Sequence, residues 1–301
     1  MTIAAGFRTD NGVLLCADQL HVSSAGLPSY APKIIAGETT EDLRCRYGFA
    51  YAGSDATANV AIRNLRRTIR SHREADFDDL MQAIENTVRG VYHQHVTGKS
   101  ESERDYKRFE LLIAINRDGE RDTHFMATAD GTVNPVDKMY HFLGVGGAYG
   151  ECVGRVAPNS SLSLDTAFIL ANRVLATAKR YSNDCGGPSD FTFIHRLAPR
   201  VMNYQDPFIE GYVAEYEAAM DRILLASIDP NGDDAVKREI DGLRENVGIL
   251  RMKWQMAKMQ AMLLDGRLPC PIATLLDPQS PKADQSPQPP SPELPGESDE
   301  S

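Results

Sequence analysis

The strongest local constraint on this chain lies near its start, where two short apolar runs, residues 2–8 and 12–16, flank Thr9-Asp10-Asn11-Gly12. Asn-Gly after Asp favours the positive-φ geometry of a tight hairpin turn, so the two runs are predicted to pair as antiparallel strands. A polar stretch, residues 23–32, leads to Lys33-Ile34-Ile35-Ala36, a short predicted strand, and residues 47–52 give another that ends at Gly53. The opening of the chain therefore reads mostly as sheet.

The period then changes. After Gly53, Ser54 or Asp55 caps a predicted helix whose apolar residues Ala58, Ile62, Leu65 and Ile69 recur at spacings of four and three. Its other face carries Arg63, Arg66, Arg67, Arg70 and Arg73, a solvated or subunit-contacting face. A second helix shows Phe77, Leu80, Ile84, Val88 and Val91 at the same period. Strands return at 109–116, 123–129 and 139–144, a helix begins near Gly147, and another begins at Ser163 with Asp165 in its first turn. Residues 190–196 read as a closing strand. Strands, two helices, strands, two helices and a strand point to antiparallel sheets covered by helical layers.

From Phe208 onward no strand pattern remains. Val213, Tyr216, Met220 and Ile223 mark one helix, and Asp229-Pro230-Asn231-Gly232 marks a turn. Val236, Ile240, Leu243, Val247, Leu250, Trp254, Ala257, Ala261 and Leu264 then keep a heptad seam. An antiparallel helical hairpin is expected over residues 206–266. Residues 277–301 are Pro, Ser, Gln and acidic residues, a composition that cannot bury enough apolar area to order itself, so a disordered tail is expected.

Composition narrows the function. The 301 residues are 42% hydrophobic, enough for a full core, and a net charge of −10 argues against a nucleic-acid partner, whose usual footprint is basic. The longest apolar stretches, such as 111–115, fall far short of the roughly 20 residues of a membrane helix, so no membrane span is expected. The first residues lack the basic and apolar regions of a secretory signal, and the five cysteines have no CxxC spacing, so a reducing cytoplasm is the expected location. His93 and His95 lie on different faces of a helix and make a poor metal pair, while residues 144–147 lack the Lys-Ser/Thr of a phosphate loop.

Four segments carry a resemblance. Met1-Thr2-Ile3-Ala4-Ala5-Gly6 through Gly12-Val13-Leu14-Leu15-Cys16-Ala17-Asp18, then Lys33-Ile34, then Phe49-Ala50-Tyr51-Ala52-Gly53, then Leu143-Gly144-Val145-Gly146-Gly147-Ala148-Tyr149 agree in order and spacing with one family. The chain resembles proteasome beta-type subunits and the related bacterial heat-shock peptidase, members of the N-terminal-nucleophile hydrolase superfamily. The resemblance implies a four-layer α-β-β-α sandwich over residues 2–200, an α+β fold, with the helical hairpin as an extension. It also implies hydrolysis of peptide bonds by Thr2 once Met1 is removed, with no metal or organic cofactor. A self-assembled homo-oligomeric ring, a peptide or unfolded-protein substrate and an ATPase or regulatory partner belong to the same implication.

By the same resemblance Thr2 supplies both nucleophile and base, because a free α-amino group has a pKa of about 7.7 to 8.0 and a sizeable neutral fraction near pH 7. Lys33 resembles the lysine that lowers the threonine's proton affinity, Asp18 the carboxylate that holds it, and Gly53 the glycine whose N–H meets the oxyanion. Tyr51 matches a position lining the primary specificity pocket, with Ala52 beside it. Val145 replaces the usual serine, and Ser182 and Cys185 occupy the positions of an aspartate and a serine, with Asp184 as a shifted substitute. The segment between Asp18 and Lys33 is one residue shorter than usual. These departures keep two other readings open: an inactive structural or regulatory ring subunit, and a non-proteolytic amidase.

Overall fold

A computed structural model describes residues 2–22, 27–39, 45–118, 120, 122–155, 162–196, 201–204, 207–228 and 233–264. β1 (Ala4–Thr9) and β2 (Gly12–Asp18) pair antiparallel with Thr9 opposite Gly12, the predicted pairing, but the loop residues Asp10 and Asn11 do not take up positive φ, which falls on Gly12 at the start of β2. Gly12 has φ of 149°, and a Cβ there would collide with the carbonyl of Ile194, so only glycine lets the next strand approach. That strand is β11 (Ser189–His195), on the far side of β2. With β10 (Tyr140–Leu143) beside β1 and β12 (Met202–Tyr204) beside β11, the order is β10-β1-β2-β11-β12.

A second five-stranded antiparallel sheet runs β5-β6-β7-β8-β9, comprising Ile34–Glu38, Cys45–Gly53, Phe109–Arg117, His124–Ala129 and Thr132–Pro135. A two-stranded ribbon, β3 (Leu20–Val22) with β4 (Pro28–Tyr30), occupies part of the stretch that reads as a polar connection. All three residues of β4 are exposed, so it carries no apolar alternation to betray it.

α1 (Asp55–Ser71) is capped by Ser54, whose hydroxyl accepts from the N–H of Thr57, and buries Ala58, Ile62, Leu65 and Ile69. α2 (Phe77–Tyr92), capped by Asp76, buries Leu80, Ile84, Val88 and Val91. A π-helical turn, His93–Thr97, and α3 (Glu101–Lys107) follow; α3 buries nothing, so no hydrophobic period marks it in the sequence. α4 (Gly147–Gly154) and α5 (Leu164–Tyr181) complete the set before α6 (Pro207–Ile228) and α7 (Asp233–Leu264).

Strand alternation sorts the side chains into separate cores. Leu14 and Cys16 of β2 meet Phe168, Val174 and Leu175 of α5, whereas Val13, Leu15 and Ala17 meet Ala50, Leu112 and Ala114 of the second sheet. Tyr47, Phe49, Leu111 and Ile113 turn the other way, toward Ile62, Leu65, Ile84 and Val88 of α1 and α2. Each fully buried Leu, Ile or Phe contributes roughly 1.5–3 kcal/mol, so one slipped strand would move several such contributions into water. The chain is thus a mixed α/β fold of antiparallel sheets with helices packed against them.

α6 is fastened to α5 by ion pairs, Lys179 to Glu210 and Arg173 to Glu217, each at 2.6 Å. α7 packs on α6, with Arg222 and Glu239 at 3.0 Å. Val236, Leu243 and Val247 of the predicted seam are half-buried, and Ile240 is exposed. Residues 277–301 lie outside the described residues, as does Met1.

Candidate active site

Three elements converge on one buried polar cluster. Thr2 precedes β1, Asp18 ends β2, and Lys33 immediately precedes β5. The hairpin brings the first two together: the N–H of Asp18 donates to the carbonyl of Ile3 at 3.2 Å, and the N–H of Ile3 donates to Asp18 Oδ1 at 3.2 Å. Lys33 Nζ reaches in from the other sheet, 2.8 Å from Asp18 Oδ1, and also donates to Thr2 Oγ1 and to the carbonyl of Leu20. Its three N–H groups therefore have three acceptors. The hydroxyl of Thr2 donates to Asp18 Oδ1, and Asp18 Oδ2 accepts the N–H of Gly186 at 2.9 Å.

Burial sets the electrostatics. Thr2, Asp18 and Lys33 are 2%, 0% and 2% exposed, so a charge here is tolerable only because it is paired and fully hydrogen-bonded. Burial pulls the Lys33 ammonium below its ordinary pKa, opposed by the negative charge of Asp18 and the hydrogen bond to it. The result is a threonine oxygen lodged between a cation and a carboxylate, accepting from the one and donating to the other.

The glycine-rich turn holds Thr2 from the other direction. Its carbonyl accepts the N–H of Gly146 at 3.3 Å, and a Cβ on Gly144, where φ is 80°, would collide with that same carbonyl. Gly146 is equally constrained, since a Cβ would stand 2.6 Å from that of Ile3. Val145, between them, is 44% exposed.

Thr2, Lys33, Tyr51 and Gly53 line one cleft of about 650 Å³, with Asp18 wholly buried behind them. Gly53 has φ of 93°, and a side chain there would strike the carbonyl of Arg108. Tyr51 directs its hydroxyl to Asp55 Oδ1 at 2.5 Å, and burial followed by that carboxylate raises the phenol well above its ordinary pKa, so it stays a donor. Ala52 is placed differently: alternation turns its methyl into the apolar cluster between the sheets, and it is not among the residues lining the cleft.

The cleft also contains residues that the sequence alone does not single out. His21, on β3, bonds through Nε2 to the carbonyl of Ala31 at 3.2 Å; burial, then the charge of Lys33, lowers its pKa and keeps the ring neutral near pH 7. Asp55, legible only as a helix cap, and Asp105 and Tyr106 of α3 complete the wall. Asp184 lines the same cleft, while the Ser182 hydroxyl accepts the N–H of Asp184 at 3.3 Å. Cys185 is buried beside the cluster, its thiol pKa raised by burial and next by Asp18. Among the described residues no group of three or more His, Cys, Asp or Glu is arranged to hold a metal ion, and no helix is long and apolar enough to cross a membrane.

No family model and no curated protein matches the chain. Solved structures do, and they define the fold as proteasome-like. The Gly-1 mutant of Anbu from Hyphomicrobium sp. strain MC1 has a TM-score of 0.62 at 14% identity, covering 76% of this chain and 99% of that one. Anbu from Yersinia bercovieri, described as an ancestral beta-subunit, scores 0.61 at 15% identity, covering 76% and 98%. A helical assembly of the Anbu complex from Pseudomonas aeruginosa scores 0.61 at 16% identity with the same coverage. These matches correct the resemblance drawn from the sequence: Anbu is related to conventional proteasome beta subunits and distinct from them, so the chain is not assigned to the beta-type subunits or the heat-shock peptidase. The motifs that carry the resemblance reflect the fold these related families have in common, and they do not separate one branch from another.

Proposed function

We propose that this chain is a threonine-type N-terminal-nucleophile hydrolase that cleaves peptide amide bonds with Thr2 after removal of Met1. The observation that supports it most is the buried Thr2–Asp18–Lys33 cluster at the base of a cleft that also contains Gly53. In this reading Thr2 Oγ1 attacks the scissile carbonyl and its own α-amine takes the hydroxyl proton. The Lys33 ammonium lowers the proton affinity of the attacking oxygen, and the N–H of Gly53 meets the developing oxyanion. The proton passes from the amine to the leaving nitrogen, and water then hydrolyses the ester on Thr2. Asp184, lining the cleft, replaces the carboxylate partner that Ser182 cannot provide for the amine.

The same reading gives residues 2–200 a four-layer α-β-β-α sandwich, supported by the three apolar clusters, with residues 206–266 as a helical extension. It also gives a self-assembled homo-oligomer, a ring in this reading; self-association is supported by the likeness to the Anbu complex from Pseudomonas aeruginosa, solved as a helical assembly. A second reading, an inactive ring subunit, is favoured by Val145, whose apolar side chain offers the amine no hydrogen bond.

Intact mass and labelling by a threonine-directed covalent inhibitor, such as a peptide epoxyketone, test the proposal. Loss of Met1 with inhibitor bound to Thr2 is expected. Retained Met1 sinks the catalytic reading, and a mature chain that takes no label favours the inactive subunit.

A further inference from the structure

The walls of the cleft are anionic. Asp55, Asp105 and Asp184 all line it, and Lys33 is committed to three acceptors while His21 is held neutral. Asp55 is preset as an acceptor. The Tyr51 hydroxyl and the Asn59 amide, at 2.5 and 2.7 Å, both donate to its Oδ1, which fixes the carboxylate at the start of α1. Its other oxygen has no partner among the described residues. Across the cleft α3 presents Asp105, which has no partner among the described residues, and the ring of Tyr106, 72% exposed.

Carboxylates beside an open aromatic face form a receptor for a cation: the carboxylates accept N–H bonds and the ring face attracts positive charge. We infer that the cleft selects substrates with a cationic side chain, arginine or lysine, next to the amide presented to Thr2. The inference rests on the peptidase reading for the amide, and on Asp55, Asp105 and Tyr106 for the selectivity. A glutamate side chain in the same place would face two carboxylates, and a leucine would leave them without a partner. Tyr51, filling the floor, sets the depth, so the charged end of the side chain meets Asp55 and its stem lies along the rings.

Binding separates this inference from the peptidase reading. Fluorescein-labelled hexapeptides of otherwise neutral composition, with one central Arg, citrulline, Leu or Glu, are titrated against the full mature chain and its Thr2→Ala variant. The readout is fluorescence anisotropy in 50 mM salt. Arginine is expected to bind about tenfold tighter than citrulline, its neutral isostere, in both proteins, as a charge-assisted pair at a partly solvated site allows. The ratio is expected to fall below about threefold in Asp55→Asn/Asp105→Asn and in 0.5 M salt. Asp105→Asn and Tyr106→Ala alone, both on the exposed α3, are expected to lower it without changing the thermal midpoint. Equal affinity for arginine and citrulline, no measurable binding of any peptide, preference for leucine or glutamate, or a ratio unchanged in the double variant overturns the inference. A Thr2 that takes no inhibitor label while the arginine preference persists overturns the peptidase reading alone.

Discussion

Replacing Lys33 by methionine removes a cation of similar length from a site where it is 2% exposed, and leaves Asp18, 0% exposed, without its counter-charge. Breaking a buried pair by deleting one partner costs about 3–5 kcal/mol. Asp18 retains three donors, the Thr2 hydroxyl and the N–H groups of Ile3 and Gly186, so the lower end, about 3 kcal/mol, is expected. With a urea dependence of about 2–3 kcal/mol per molar, the unfolding midpoint should fall by about 1–1.5 M. Asp18→Asn in the same chain removes the orphaned charge. The double variant should therefore be more stable than the sum of the single losses predicts, by at least about 1.5 kcal/mol. Urea unfolding followed by circular dichroism measures all four proteins. A Lys33→Met loss under about 1 kcal/mol, or strictly additive losses, would refute the assignment of Lys33 and Asp18 as a mutually dependent buried pair.

The same lysine carries a pH signature. Its folded pKa lies below the unfolded value, so the unfolded chain binds more protons in the window between them, and this group's contribution to stability rises with pH up to about 10.5. The deficit of Lys33→Met relative to the unaltered chain should thus be larger at pH 10 than at pH 7.5; a constant or shrinking deficit in urea titrations contradicts it. Gly144→Ala, at φ of 80° and against the Thr2 carbonyl, should cost about 1–3 kcal/mol and sharply reduce labelling of Thr2. Gly147→Ala is the paired control: the nearest atom to a new Cβ is 3.6 Å away and the site is helical, so it should be neutral or stabilising by up to about 1 kcal/mol. Equal effects of the two substitutions on labelling would refute the role given to Gly144.

What the sequence shows and what it hides follow from one physical distinction. The first hairpin is buried on both faces and shows continuous apolar runs, while α1, α2 and α5 each bury a helical stripe; both patterns are readable without coordinates. The β3–β4 ribbon, α3 and β9 bury little, so their order arises from contacts made elsewhere in the fold, which no local period records. The site divides the same way. Thr2, Asp18, Lys33 and Gly53 stand out in the sequence only through a resemblance, and the fold brings all four together. His21, Asp105 and Tyr106 reach the cleft only because the ribbon and α3 fold over it. Ala52 shows the limit of adjacency: beside Tyr51 in sequence, it lies on the opposite face of β6 because side chains in a strand alternate.

Asp18 accepts at one oxygen from residue 3 and at the other from residue 186, a separation of 168 positions from its own place in the chain. A ribosome-bound chain that has emerged only as far as its second sheet therefore owns a threonine and a lysine but only part of the scaffold that aligns them. Closing so long a loop is entropically costly and belongs to the late stages of folding. The surroundings of Thr2 are consequently timed as well as placed: they are completed when β11 joins β2, and under the peptidase function proposed above the unfinished polypeptides surrounding the chain during synthesis meet a protein whose cutting edge has not yet been assembled.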